Sequence, residues 1–337
     1  MHCPGALVGI AGVGVPTTVL AIGTSDAEGN EPMRADMRMR IGSVSKLFVG
    51  AVVLRLVDQG VLSLDRPVSD YLAGIPEGKK ITLRMLGRHT SGLACPIWND
   101  DFQADILADP RRQWTARELL DRAAALPSHH EPGCGWHYSN TAATVAGLVA
   151  EKATGKSYEE LLAKLVLRPL SLRSTGLCEA AAPPEPTPKS YRHGRKGRWL
   201  GYGNTFCDVT GYSASWAGIG GNMYSTARDL NVATLSLATG RLLSEESRRE
   251  LLAWQDSDWD GTQFGFFINR NARGIGHEGN VPGFEAVVRY QPGQQRTIVV
   301  LTNLSNNADG TMPAEQLFDL VADHLNESPT QEAATSL

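Results

Sequence analysis

The chain has 337 residues, enough for one large domain or two interleaved ones. Its 42% hydrophobic and 20% charged content is that of a globular protein and excludes a disordered or fibrous chain. A formal net charge of −4 gives no broad pull toward nucleic acid or anionic lipid. The longest apolar run, Leu47 to Leu54, is far short of the ~20 residues a membrane span needs, so neither nucleic acid nor membrane is expected as a partner.

The opening segments "ALVGIAGV" and "TTVLAIGTSD" predict two short strands joined near Gly14 and Pro16. A buried helix follows over "IGSVSKLFVGAVVLRLVDQG", from Ile41 to a stop at Gly60. From Leu62 to about Ala180 the pattern is mostly helical, with capping boxes at Thr115–Glu118 and Ser157–Glu160. Residues 181–214 are rich in Pro and Gly, and their basic cluster "KSYRHGRKGRW" reads as a solvated hairpin rather than a nucleic-acid patch. Two capped helices, "STARDLNVATLSLATG" and "LSEESRRELLAW", come next. The strands "FGFFINR", "GIGHEG", "FEAVVRYQP" and "RTIVVLTNLS" then lead to a last helix, "MPAEQLFDLVADHL". This order predicts an α/β domain closed by both termini (1–62 with 215–325), a mainly helical insertion (63–214) and a disordered tail (326–337).

The five cysteines, Cys3, Cys95, Cys134, Cys178 and Cys207, are scattered without CxxC spacing and read as reduced thiols. With no basic segment leading a long apolar core at the N-terminus, a cytoplasmic location is expected. His129, His130, Cys134 and His137 match no common zinc spacing and sit among Pro132, Gly133 and Gly135. Neither a metal nor a cofactor is expected.

Ser43 and Lys46 stand three residues apart at the mouth of the buried helix, on one helical face. A cap serine and a snorkelling lysine would look the same, and a lone Ser-x-x-Lys arises by chance about once in such a chain. Two further groups follow in order, however: Tyr138-Ser139-Asn140 and His277-Glu278-Gly279. With them the chain resembles the serine β-lactamase and penicillin-binding protein superfamily. Within it, the chain is most similar to the branch of class C β-lactamases, D-alanyl-D-alanine carboxypeptidases and related esterases. The likeness extends to "RHTSGL", "RPLSLRSTGL", "GGNMYSTARDL" and "VPGFEAVVRYQPGQQRTIVVLTNLSNN", and covers Pro4 to Leu325. The resemblance implies an antiparallel sheet flanked by helices with an inserted all-helical domain. A second Tyr-x-Asn, Tyr202-Gly203-Asn204, opens no helix and reads as a decoy.

Acyl transfer explains the residue types. Serine is a poor nucleophile and needs a base within hydrogen-bond reach. Lys46, in apolar surroundings near a helix N-terminus, is expected to have a lowered pKa. Tyr138, flanked by Lys46 and His277, is the second candidate base, by easier ionisation or as a proton relay. Asn140 suits orienting Lys46 or a substrate carbonyl. The resemblance implies that the backbone amides of Ser43 and Asn280 form the oxyanion hole, with Gly279 allowing close approach.

Two departures bear on substrate. Glu278 stands where the family usually has Thr or Ser, an anion where peptide carboxylates bind; at ~4 Å like charges repel by about 1 kcal/mol in water. On the preceding strand Asn269 replaces an arginine that carboxylate-binding members often have, and Arg270 points to the other face. The carboxylate clamp looks dismantled. Trp216 matches a pocket-lining position, and Trp98 and Phe102 are candidates for another wall. The expectation is serine-dependent acyl transfer through acyl-Ser43, on a small-molecule ester or amide with water or an amine as acceptor. That describes an esterase or a transacylase of natural-product biosynthesis. A D-alanyl-D-alanine carboxypeptidase or class C-type β-lactamase is the rival enzyme, and a catalytically silent binding module the rival outside enzymes.

Overall fold

Apolar segments from the two ends of the chain meet in one sheet. The computed structural model describes residues 3–180, 182–194 and 203–327. Its strands are β1 (Gly5–Gly12), β2 (Val15–Gly23), β3 (Met39–Arg40), β4 (Gly176–Leu177), β5 (Tyr191–Gly194), β6 (Thr205–Asp208), β7 (Met223–Ser225), β8 (Gln255–Asp256), β9 (Gln263–Phe264), β10 (Asn269–Asn271), β11 (Gly274–Val281), β12 (Phe284–Gln291) and β13 (Arg296–Thr302). Its helices are α1 (Ser45–Asp58), α2 (Leu83–Gly87), α3 (Asp100–Ala108), α4 (Ala116–Ala124), α5 (Asn140–Thr154), α6 (Tyr158–Leu162), α7 (Ala227–Thr239), α8 (Glu245–Leu251) and α9 (Pro313–Glu327).

Eight strands form an antiparallel sheet in the order β2-β1-β13-β12-β11-β10-β9-β8. The first strand pairs with the last, Ala6 opposite Thr302, which closes the two ends of the chain on each other. Alternation along these strands sorts the core. Leu7, Val288, Val299 and Leu301 face the large core shared with α1 and α7. Val8, Val287, Ile298 and Val300 face α9, which covers them with Ala314, Phe318 and Ala322. Strands sandwiched in this way read as nearly continuous apolar runs, as "RTIVVLT" does.

Helix α1 is buried on almost every side, so its first-turn lysine has no route to water. Snorkelling is excluded: Lys46 is 0% exposed. Ser43 itself lies just ahead of α1, in the 3-10 turn Gly42–Val44, so the helix begins four residues later than the sequence reading placed it. Both capping boxes, at Thr115–Glu118 and Ser157–Glu160, are formed.

Three readings are corrected. "FGFFINR" is not one strand: β9 ends at Phe264, Phe267 takes φ 56°, and β10 starts at Asn269. Phe266 and Phe267 are both fully buried against α1 and α2, and two adjacent side chains can share a core only if the strand breaks. In the span from Leu62 to Ala180 loops separate α2, α3, α4 and α5, and β4 within it pairs with β7. Helix α9 continues through Glu327, so Asn326 is helical; the tail from 328, like Tyr202 of the second Tyr-x-Asn, lies outside the described residues.

The basic cluster contributes β5, which pairs with β6 as a hairpin. No helix among the described residues is long and apolar enough to cross a membrane. All five cysteines are free.

Candidate active site

Lys46 is the centre of the site. Its Nζ lies 3.1 Å from Ser43 Oγ, 2.7 Å from Asn140 Oδ1 and 3.0 Å from the Gly220 carbonyl. One turn of chain brings Ser43 and Lys46 together, and α5, whose first residue is Asn140, packs against α1. Burial pushes the Lys46 pKa down to about 7. A neutral amine has two N–H bonds and one lone pair. Two fixed carbonyl acceptors take both N–H bonds, so the lone pair is left for the Ser43 hydroxyl. Asn140 therefore orients Lys46, the first of the two tasks its amide could serve.

The second element is a close backbone contact between β11 and the 3-10 turn. A methyl group on Gly42 would stand 2.8 Å from the Asn280 nitrogen, and one on Gly279 would stand 2.8 Å from the Ser43 nitrogen and 2.0 Å from the Ile41 carbonyl. Gly42 also has φ +50°, a conformation that favours glycine. Two glycines thus let the backbone at Ser43 and the backbone at Asn280 come close together. Such closeness is one requirement for a pair of oxyanion donors.

Tyr138 and His277 complete the group. Tyr138 precedes Ser139, the N-cap of α5, and its ring lies 4.7 Å from Lys46 Nζ. Burial pushes the phenol well above its usual pKa, outweighing the Ser43 hydroxyl beside it. His277 is held down to about 4, by burial first, against the opposing charge of Glu278. It is neutral at pH 7 and offers no cation to draw a proton from Tyr138. The expectation of an easily ionised Tyr138 is corrected: the phenol stays protonated. The Glu278 carbonyl, 2.5 Å from His277 Nδ1, can only accept, so the His277 proton sits on Nδ1. Its Nε2 lone pair, buried and unpartnered, shares the Tyr138 side of the site with the unpartnered phenol.

Glu278 is not the free anion the sequence suggested. Its carboxylate is paired with the Arg289 guanidinium from β12 and accepts a 3.2 Å bond from Asn269 Nδ2. Asn269 Oδ1 in turn accepts from Arg289 Nη1 at 2.5 Å. Burial pushes the Glu278 carboxyl up, but Arg289, His277 and the Asn269 bond together outweigh it and hold the group below the usual carboxylate range. Arg270 does turn to the opposite face, over the Trp254 ring. An arginine in the apolar strand "FEAVVRYQ" was the available signal for Arg289, and the sequence reading passed over it.

Ser43, Tyr138, Asn140, His277, Glu278 and Asn280 line a cleft of about 770 Å³. Trp98 and Trp216 also line it, and so does Trp259, whose ring lies 4.9 Å from that of Tyr138. Phe102 does not. It is buried against Trp114, ring centroids 4.8 Å apart, because the apolar face of α3 (Phe102 and Ile106) turns inward. His89 was missed as well: fully buried, it accepts a bond from the Ser139 N–H through Nδ1 at 3.3 Å and lies 4.7 Å from the Tyr138 ring. Among the described residues, no group of three or more His, Cys, Asp or Glu is placed to hold a metal ion.

Residues 1–322 match the family model described as Beta-lactamase. The chain belongs to the Beta-lactamase family. Curated relatives of this Beta-lactamase family chain include esterase EstB of Burkholderia gladioli, 36% identical over 173 residues. That match covers 48% of this chain and spans 43% of EstB's length. Among solved structures, a D-stereospecific amidohydrolase from Streptomyces sp. superposes with a TM-score of 0.79 at 28% identity, covering 90% of each chain. D-amino acid amidase from Ochrobactrum anthropi SV3, complexed with L-phenylalanine amide, gives 0.84 at 24% identity over 97% of this chain and 95% of that one, which shows the shared fold. The fold is the β-lactamase and penicillin-binding protein-like one that the motifs imply.

Proposed function

We propose that the protein is a serine-dependent acyl-transfer enzyme that forms an acyl-Ser43 intermediate from a small-molecule ester or amide. The observation that carries this reading is the arrangement at Lys46. The buried Lys46 Nζ contacts Asn140 Oδ1, the Gly220 carbonyl and Ser43 Oγ, so in its neutral form, with both N–H bonds on the two carbonyls, its lone pair is left for Ser43. The similarity to an esterase and to two amide-cleaving enzymes supports the acyl-donor class.

The steps follow from the groups present. Neutral Lys46 takes the Ser43 proton as Oγ bonds to the substrate carbonyl carbon, and the resulting oxyanion accepts from the Ser43 and Asn280 amides. The intermediate collapses by breaking the bond to the leaving group, which receives the proton. Tyr138, protonated, beside Ser43 and with its ring 6.2 Å from that of His277, relays that proton rather than acting as a phenolate base. Water or an amine then attacks the acyl-Ser43 carbon by the same route in reverse. Esterase or transacylase activity is favoured over carboxypeptidase or β-lactamase activity by Glu278, which puts a carboxylate on the wall where such substrates would need a cation.

The pH profile tests this assignment. Lys46 must lose its proton to act, so activity is absent where it is charged and present where it is neutral. With neutral p-nitrophenyl esters, kcat/KM is expected to rise tenfold per pH unit below about 7 and level off above. The inflection should persist in Tyr138→Phe at a lower plateau. An inflection near pH 10 that disappears in Tyr138→Phe would make the tyrosine the base, and a lack of ester turnover by the wild-type protein would overturn the reading.

A further inference from the structure

The pairing of Glu278 with Arg289 has a consequence for which substrates the cleft accepts. Arg289 is 1% exposed and is held from two sides, by the Glu278 carboxylate and by Asn269 Oδ1. Glu278 is 27% exposed at its side chain and lines the cleft. It therefore stands between a buried cation and the place where substrate sits. Its strand position explains why. Glu278 lies opposite Val287 on β12, and Arg289 is two residues along from Val287 on the same sheet face. The cross-strand diagonal lets a long side chain reach from one to the other.

We propose that Glu278 is a specificity-determining residue that acts as a resident carboxylate. It occupies the anion position in front of Arg289, so the cleft rejects acyl donors or leaving groups bearing a carboxylate there and takes neutral ones. Removing Glu278 uncovers a carboxylate receptor built from Arg289 and Asn269. The physical basis is the cost of a buried charge without its counter-ion. A guanidinium left unpaired beside the cleft gains most from any carboxylate that can enter, and its planar fork suits one. This differs from simple repulsion. A free Glu278 would merely repel anions, and its removal would leave a neutral wall. A paired Glu278 leaves an attractive one.

The inference rests on the cleft being the acyl-transfer site, so its test has one arm that needs no catalysis. In that arm, thermal melting of Glu278→Ala is followed in sodium acetate and in sodium chloride at equal ionic strength. Acetate should raise the melting temperature of the variant relative to chloride. It should do so neither in wild type, where Glu278 fills the place, nor in Glu278→Ala/Arg289→Met, where the guanidinium is gone.

In the kinetic arm, two matched ester pairs are compared: mono-p-nitrophenyl succinate with p-nitrophenyl succinamate, and 3-carboxyphenyl acetate with 3-carbamoylphenyl acetate. The first pair carries its carboxylate on the acyl side and the second on the leaving side. For at least one pair, Glu278→Thr should raise the carboxylate-to-carboxamide ratio of kcat/KM by roughly 10- to 100-fold, the worth of a charged hydrogen bond. Adding Arg289→Met should abolish that gain. A gain that survives in the double variant would reduce Glu278 to simple repulsion and overturn the proposal. Absence of both the acetate effect and the ratio change would overturn it too. An acetate effect without ester turnover by any variant would uphold the receptor and refute the acyl-transfer reading instead.

Discussion

Lys46→Met is expected to lower the rate of Ser43 acylation by roughly 10²- to 10⁴-fold, the range for loss of a positioned general base. Methionine matches the lysine stem in length and carries no charge, so it suits a fully buried position. On the proposed reading the substitution removes the group that takes the Ser43 proton. It also leaves Asn140 Oδ1 and the Gly220 carbonyl without their shared donor, each at a cost of about 1–3 kcal/mol if no water replaces it. Stopped-flow release of p-nitrophenol reads acylation separately from deacylation, and circular dichroism checks the fold. A folded variant retaining more than a tenth of the wild-type acylation rate would remove Lys46 from the role of base.

Gly279→Ala is expected to cost a similar amount by a different route. The added methyl would stand 2.0 Å from the Ile41 carbonyl and 2.8 Å from the Ser43 nitrogen, inside any real contact distance. The strand and the 3-10 turn must separate, and the two amides with them. Loss of one oxyanion donor lowers kcat by roughly 10²- to 10³-fold, while overpacking of this kind costs about 1–3 kcal/mol of stability. The variant should therefore fold with a lowered melting temperature and a disproportionately lowered kcat. A change confined to stability, with kcat within a factor of about three, would show that the amide pair is not the oxyanion site.

The limits of the sequence reading follow from which features are local. Ser43 and Lys46 are one helical turn apart, and both capping boxes pair residues three positions apart, so spacing alone places them. Strands with clean alternation or a firm turn were also legible, as at the Pro282–Gly283 hairpin between β11 and β12. What failed depends on the third dimension. "FGFFINR" has strand composition, yet Phe266 and Phe267 both go inward because α1 and α2 offer space for both. Phe102 shares a loop region with Trp98, but it sits on the inner face of α3 while Trp98 precedes that helix and stays exposed.

The charge on Glu278 was legible; its neutralisation was not. Arg289 lies on a different strand, and only the register of β11 against β12 puts it beside Glu278. Burial likewise reverses the expectation for Tyr138. A neighbouring lysine argues for a phenolate only if that lysine is charged, and the same burial that holds the tyrosine protonated also lowers the lysine. His89, immediately before "TSGL" in the sequence, reaches Tyr138 only through the path of the loop that follows α2.

The central claim is a covalent bond to Ser43. Intact-mass analysis after brief exposure to a fluorophosphonate, and separately to a p-nitrophenyl ester quenched in acid, measures it directly. A single adduct of the expected acyl or phosphonyl mass should form, map to the peptide containing Ser43, and be absent from Ser43→Ala. No adduct with either reagent, or an adduct of undiminished yield on Ser43→Ala, would contradict the account.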